Sequence, residues 1–293
     1  SDNPEGKRLR PTLCLLACEA VGGDPADALP VAVAIEFVHN FSLIHDDIED
    51  ADVLRYGEKT LHEEYGVPIA LNVGDFLLGE GYRMITRCDV PEDRKADMLR
   101  IAAEGHRSLC LGQGAELLWM RKPTPLSTAQ VIDIFRRKTS PAFEVALRLG
   151  AAYAGAEDDV GEVISGYSES LGIAYQVNDD LNDFANPDGP CEAVRPNVLL
   201  SIAGEGGDGG EDLQATFERI MADPCVETSA RRLLELYKHE AIRRLNSLAN
   251  ANLKGLLRRV VGKIFDDFEI MFCCDDHKAD NASGGESGAE SAK

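Results

Sequence analysis

Residues 39–50 read HNFSLIHDDIED and residues 172–184 read GIAYQVNDDLNDF. Each is an apolar stretch ending in two adjacent aspartates, with a third aspartate three residues after the second. Residues four apart on a helix share a face one turn apart, so Asp46 pairs with Asp50 and Asp179 pairs with Asp183. Like charges at that spacing repel by about 0.2–0.5 kcal/mol. A chain that accepts this repulsion twice, each time after an apolar helix, implies a positive group between the carboxylates. Hard oxygen ligands of this kind select Mg²⁺, which keeps waters and bridges carboxylates to phosphates. A solvated helix end accounts for one such run but poorly for two of equal spacing. A calcium-binding EF-hand is excluded, because neither run has that loop's glycine and distal glutamate.

Working outward, helical signals dominate the 293 residues. Alanine and leucine are frequent, and alternating strand-like runs are scarce. The expected helices are 11–22, 28–51, 67–88, 91–119, 127–154, 158–184, 195–204, 211–222, 227–249 and 252–272. Asp24-Pro25 reads as a helix N-cap followed by proline in the first turn. Ser127 with Gln130 reads as a capping box. Gly22-Gly23, Gly105 and Gly155 punctuate the pattern. The glycine-rich stretch 204–211 reads as a link, and 275–293 as a disordered acidic tail behind one helical domain of residues 1–274.

The charge is −21, from 30 Lys+Arg against 51 Asp+Glu. No basic stripe exists to neutralise a nucleic acid backbone, so nucleic acid is not an expected partner. An anionic ligand meets a repulsive field unless metal or local basic residues receive it. Lys7, Arg8 and Arg10 cluster at the start, Arg55 follows the first run, and Lys138-Thr139 lies between the runs. No apolar run reaches the ~18 residues needed to span a bilayer, and no signal-peptide pattern opens the chain. The expectation is a soluble, cytoplasmic protein. The eight cysteines contain no CxxC pair and read as reduced, mostly buried small hydrophobes.

The ordered stretches GKRLRP (6–11), HNFSLIHDDIED (39–50), LRYGEKTLHEEYG (54–66), GD (74–75), GQGAEL (112–117), KTSPAF (138–143) and GIAYQVNDDLNDF (172–184) resemble the trans-isoprenyl diphosphate synthase (polyprenyl synthetase) family. The resemblance covers most of residues 6–200. It implies an all-α bundle around a deep central cavity, the isoprenoid synthase type I fold. It implies a homodimeric prenyltransferase that joins isopentenyl diphosphate to an allylic diphosphate, with three Mg²⁺ ions when substrate is bound. By the same resemblance, Asp46, Asp47 and Asp50 bind metal from one wall, and Asp179, Asp180 and Asp183 from the other. Lys7, Arg10 and His39 match positions that hold isopentenyl diphosphate. Arg55, Lys138 and Gln176 match positions that hold the allylic diphosphate, and Thr139 one beside the carbocation. Lys138, Thr139 and Gln176 are thus the candidate catalytic residues.

Phe41 lies five residues before Asp46, ~7 Å down the helix, and reads as the floor that limits product length. Ser42 beside it is small. A large residue at Phe41 with a small one at Ser42 resembles the geranylgeranyl diphosphate synthases of archaeal type, with farnesyl diphosphate as the next expectation. The chain departs from the family in three places. Arg55 is followed by Tyr56 rather than by a second arginine. The segment FANPDGPCEAVRPN after the second run carries no lysine. GKRLRP begins almost at the first residue. Tyr56 and the missing lysines fit a terpene synthase-like enzyme that ionises a single diphosphate. Lys7, Arg10 and His39 argue against it. A metal phosphohydrolase built on His45-Asp46 would need further histidines at helical spacing. A non-catalytic partner subunit is disfavoured by two intact aspartate runs.

Overall fold

The computed structural model describes residues 8–185, 195–205 and 223–266. In chain order these form α1 (Leu9–Ala20), α2 (Leu29–Asp50), a hairpin of β1 (Leu54–Arg55) and β2 (Glu58–Lys59), α3 (Leu61–Tyr65), α4 (Val67–Thr86) and α5 (Glu92–Arg121). Then follow α6 (Thr128–Lys138), α7 (Ser140–Tyr153), α8 (Asp158–Ala185), α9 (Val198–Glu205), α10 (Pro224–Arg244), a 3₁₀ turn at 245–247 and α11 (Ala251–Ile264). Lys7, the helix expected at 211–222, residues 206–211 of the link and the tail 275–293 lie outside the described residues. So does the part of the last expected helix beyond 266. Among the described residues, no helix is long and apolar enough to cross a membrane.

The bundle closes through four main helix pairs. α2 packs on α4, α1 on α7, α7 on α8, and α8 on α10. α8 is central because its apolar residues recur on more than one face. Ile164, Tyr167 and Leu171 enter one core cluster, with α1, α2, α5, α7 and α11. Ile173, Val177 and Leu181 enter a second, with α6, α9 and α10. Tyr167 is fully buried and its hydroxyl donates to the Leu257 carbonyl at 2.9 Å, so its polar end is satisfied.

Three local expectations are corrected. First, Asp24 caps no helix: α2 begins at Leu29, within a residue of the expected 28–51, with Pro30 in its first turn. The Asp24 carboxylate instead accepts from the Ala26 amide at 2.8 Å and closes the preceding turn. The capping box at Ser127 and Gln130 does form, with both reciprocal bonds in place. Second, the span 127–154 is two helices that break at Thr139. Pro141 has no N–H to offer the Arg137 carbonyl four residues earlier. The Ser108 hydroxyl of α5 donates to that carbonyl instead, at 3.4 Å. Third, residues 54–59 form a hairpin that the sequence pattern does not announce. Its turn has positive φ at both Tyr56 (54°) and Gly57 (81°), the type I′ combination that matches strand twist.

Candidate active site

The α2 periodicity sets one wall of a cavity of about 400 Å³. Asp46, Ser42, His39 and Ile35 fall four, seven and eleven residues apart from the first, on one helical face, and all line it. α5 contributes Ala102, His106, Gln113 and Leu117, and α7 contributes Ala142, Val145 and Leu149. The lining is polar at Asp46, Gln113, Lys138 and Thr139, toward the C-terminal end of α2, and apolar at Ala34, Ile35, Ile85 and Leu149, toward its other end, with Arg10 and His39 between them. Ile35 lies about 16 Å down α2 from Asp46 at 1.5 Å per residue.

Phe41 is buried and lines the cavity, but it sits on its flank. Its ring packs on His45 (centroids 4.6 Å) and edge-on to His106 (5.3 Å). Because lining residues continue past it to Ala34 and Ile35, Phe41 narrows the cavity rather than ending it. Ser42 lies squarely on the lining face.

A network of carboxylates and cations crosses the polar end. The Asp46 carboxylate accepts from Gln113 at 3.2 Å and lies 3.6 Å from Arg55. The Asp50 carboxylate accepts from Arg195 at 2.7 Å, and its other oxygen is buried with no hydrogen-bond partner. Buried Glu116 of α5 accepts from Lys138 at 2.6 Å and lies 3.8 Å from Arg195. One residue on, the Thr139 hydroxyl donates to Gln176 at 3.1 Å, and the Gln176 amide reaches Asp179 at 3.5 Å. Two sets of contacts thus flank the Lys138–Thr139 peptide: Asp50, Arg195, Glu116 and Lys138 on the side of the first aspartate run, and Thr139, Gln176 and Asp179 on the side of the second. The helix break at Thr139 makes this possible, since it turns Lys138 toward α5 and Thr139 toward α8.

Burial raises the Asp46 carboxyl to about 6. Arg10 donates to the His39 ring at 3.0 Å. Burial, with Arg10 and then Arg55 adding to it, drives His39 down to about 3, so the ring is neutral and accepts. Between pH 6.5 and 3 the unfolded chain therefore binds more protons at His39 than the folded chain does, and stability falls as pH drops through that window. His39→Gln is expected to lose less Tm than wild type on going from about pH 7 to about pH 4. Thermal scans at several pH values check this.

Of the six aspartates, Asp46 lines the cavity, and Asp47 and Asp180 are turned off the helix faces that the other four share. One residue along a helix turns the side chain by about 100°, so Asp47 and Asp180 leave the face of their neighbours. Asp47 is buried and paired with Arg55, which the hairpin carries back over it. Burial pushes the Asp180 carboxyl well above the usual range, against the Val198 amide that donates to it at 2.7 Å. Both carboxylates are thus engaged within the protein. Asp47 and Asp180 hold neighbouring segments, leaving Asp46, Asp50, Asp179 and Asp183. Asp179 and Asp183 are exposed at the end of α8. Among the described residues, no three His, Cys, Asp or Glu side chains converge as a ready-made metal centre. The donor set still fits a hard divalent cation: all four candidates offer oxygen, and Asp50 keeps a buried oxygen without a partner.

The structure adds Gln113, Glu116 and Arg195 to the residues expected from sequence. Gln113 and Glu116 belong to the GQGAEL stretch, whose place in the resemblance was the only sign. Arg195 carries no local signal at all.

A sequence profile of the polyprenyl synthetase family matches residues 2–189. The geranylgeranyl diphosphate synthase of Methanosarcina mazei is 33% identical over 195 residues, 67% of this chain and 60% of the relative. The (2E,6E)-farnesyl diphosphate synthase of Mycobacterium tuberculosis is 36% identical over 180 residues, 61% of this chain and 49% of the relative. The chain spans 60%, 56% and 54% of the length of three curated relatives that it matches. The solved geranylgeranyl pyrophosphate synthetase of the archaeon Geoglobus acetivorans superposes with a TM-score of 0.78 at 27% identity, covering 90% of this chain and 88% of that one. With the profile running through both aspartate runs and the fold in agreement, the chain belongs to the polyprenyl synthetase family.

Proposed function

We propose that the protein is a Mg²⁺-dependent prenyltransferase joining isopentenyl diphosphate to an allylic diphosphate, with a twenty-carbon trans product. The observation that carries this reading is the single cavity: Asp46, Glu49, Gln113 and Lys138 line it together with Ala34, Ile35, Ile85 and Leu149, and Ile35 lies about 16 Å down α2 from Asp46. A diphosphate fits the first part and a polyprenyl tail the second.

In this reading Asp46, Asp50, Asp179 and Asp183 hold the divalent cations, which supply positive charge to the departing diphosphate. Arg55 and Lys138 grip that same diphosphate as the allylic C1–O bond breaks and its electron pair leaves on oxygen. The Thr139 hydroxyl and the Gln176 carbonyl turn their oxygens toward the allylic cation that results. Arg10 and neutral His39 place the diphosphate of isopentenyl diphosphate so that its C4 carbon meets C1, and Lys7 matches a family position for the same ligand. A new C–C bond forms, a proton is lost, and the longer allylic diphosphate remains. The apolar wall excludes water that would otherwise capture the cation.

A second copy of the chain is proposed to cover the outer face of α4 and α5, where Phe76 is 64% and Leu118 is 72% exposed.

Isopentenyl diphosphate supplied with dimethylallyl, geranyl and farnesyl diphosphates in turn, with and without Mg²⁺, tests the reading. A trans C20 diphosphate that forms only with Mg²⁺ is the expected product. A hydrocarbon or alcohol from the allylic substrate alone points to a terpene synthase-like enzyme instead. Phe41→Ala removes the ring that narrows the cavity beside His106, and the product distribution is expected to shift to longer chains. An unchanged distribution on chromatography removes Phe41 from that role.

A further inference from the structure

Four consecutive residues, Arg195-Pro196-Asn197-Val198, touch both aspartate runs at once. The Arg195 guanidinium donates to Asp50 at 2.7 Å across 145 positions of sequence. The Val198 amide donates to Asp180 at 2.7 Å. Between them the segment is stiff. Pro196 fixes its own φ and holds Arg195 in extended backbone. The Asn197 side chain accepts from the Leu199 and Leu200 amides at 2.8 and 3.3 Å and so anchors the start of α9.

The Asp50 side chain is 3% exposed. Arg195 occupies one carboxylate oxygen, while the other is buried without a partner. A carboxylate held by one edge is fixed in rotation, and its remaining oxygen points where the held edge dictates. Arg195 is itself steadied from behind, since its second terminal nitrogen lies 3.8 Å from Glu116, the acid that also holds Lys138. Its position is not that of a surface charge that happens to find an acid.

We infer that Arg195 is a positioning residue for the first aspartate run: it orients Asp50 with one oxygen open to a divalent cation and, through Val198, fixes that oxygen's distance from the second run. This rests on the metal-holding role of Asp50 proposed above. Hydrogen-bond partners of a ligating carboxylate typically account for 10- to 100-fold in metal affinity. The arginine also restores a cation to a segment that contains no lysine.

Mn²⁺ alone, followed by its paramagnetic resonance signal with the full chain, reads the site without turnover. Wild type is expected to bind it. A wild type that leaves Mn²⁺ free overturns the metal reading, and this inference with it. With wild-type binding established, Arg195→Gln is expected to weaken Mn²⁺ binding ~10- to 100-fold. Arg195→Lys, which keeps the charge and loses the planar fork, falls between the two. In an Asp50→Asn background, Arg195→Gln is expected to cost nothing further, because both changes act through one carboxylate. Affinity that is unchanged or tighter in Arg195→Gln overturns the inference, as do additive losses in the double variant. If circular dichroism shows Arg195→Gln unfolded, Arg195→Lys decides alone: wild-type affinity in that variant overturns the proposal.

Discussion

Asp46→Asn and Asp179→Asn are each expected to lower kcat for prenyl transfer by ~10²–10³-fold without lowering Tm. Each is the first aspartate of its run, Asp46 accepting from Gln113 and Asp179 from Gln176. Removing one preorganised charge-stabilising group from an active site costs about 2.7–4 kcal/mol of transition-state stabilisation. Asp179 is exposed at the end of α8, and for Asp46 the absence of a stability loss follows from sign. Burial raises Asp46 to about 6 from an ordinary 3.8. A folded-state pKa above the unfolded value means that the ionised form costs stability at neutral pH. Asparagine removes that cost and still accepts from Gln113. Steady-state kinetics beside thermal denaturation separates the two effects. A variant that keeps wild-type kcat ends the assignment of these aspartates to the chemistry. A variant that loses both kcat and Tm shows a structural role instead.

The second large effect is expected at Gly112. A Cβ placed there meets the Lys138 amide nitrogen at 2.5 Å and the Arg137 carbonyl carbon at 2.7 Å, both backbone atoms. Flexible side chains yield to such an atom, but the backbone of two helices at a break does not. On the other side of the same break, a Cβ at Gly172 meets the Ser140 backbone at 2.6 Å. α5 and α8 thus clasp the Lys138–Ser140 segment from two sides at glycine contact distance. Gly112→Ala is expected to cost about 1–3 kcal/mol through overpacking, a Tm loss of roughly 2–4 °C per kcal/mol for a chain of this size. It is also expected to lower kcat by more than the stability loss explains, because the residue it displaces is Lys138. Circular dichroism melts and kcat measured well below Tm check the two parts. Wild-type Tm in this variant means that the helices separate freely and the clasp is not rigid.

What the sequence showed and what it hid divide by range. The face shared by Asp46 and Asp50, the face shared by Asp179 and Asp183, and the capping box at Ser127 are rules of one helical turn, so spacing alone reveals them. The off-face position of Asp47 follows from the same rule. Its consequence, pairing with Arg55, needed a hairpin whose turn places Tyr56, not glycine, at φ 54°. The break at Thr139 depends on Ser108 replacing a lost donor from another helix. Burial of Asp180 depends on the start of α9, and Arg195 meets Asp50 from 145 positions away. Each of these is set by tertiary contact, to which local patterning is blind. The overall fold was legible because an all-helical bundle is written in its periodicities. The second layer of the site was not, because it is written between elements.

The cations around the cavity do not begin alike. Arg55, Lys138 and Arg195 each rest against a carboxylate, whereas Arg10 rests against an uncharged imidazole. An anion reaching the first three has to evict an acid, and eviction is easiest when a metal arrives to take the acid over. An anion reaching Arg10 displaces no charge. Under the proposed reaction the two diphosphates therefore enter by different rules, one escorted by metal and the other unaccompanied. The resting contacts alone are enough to tell one berth from the other.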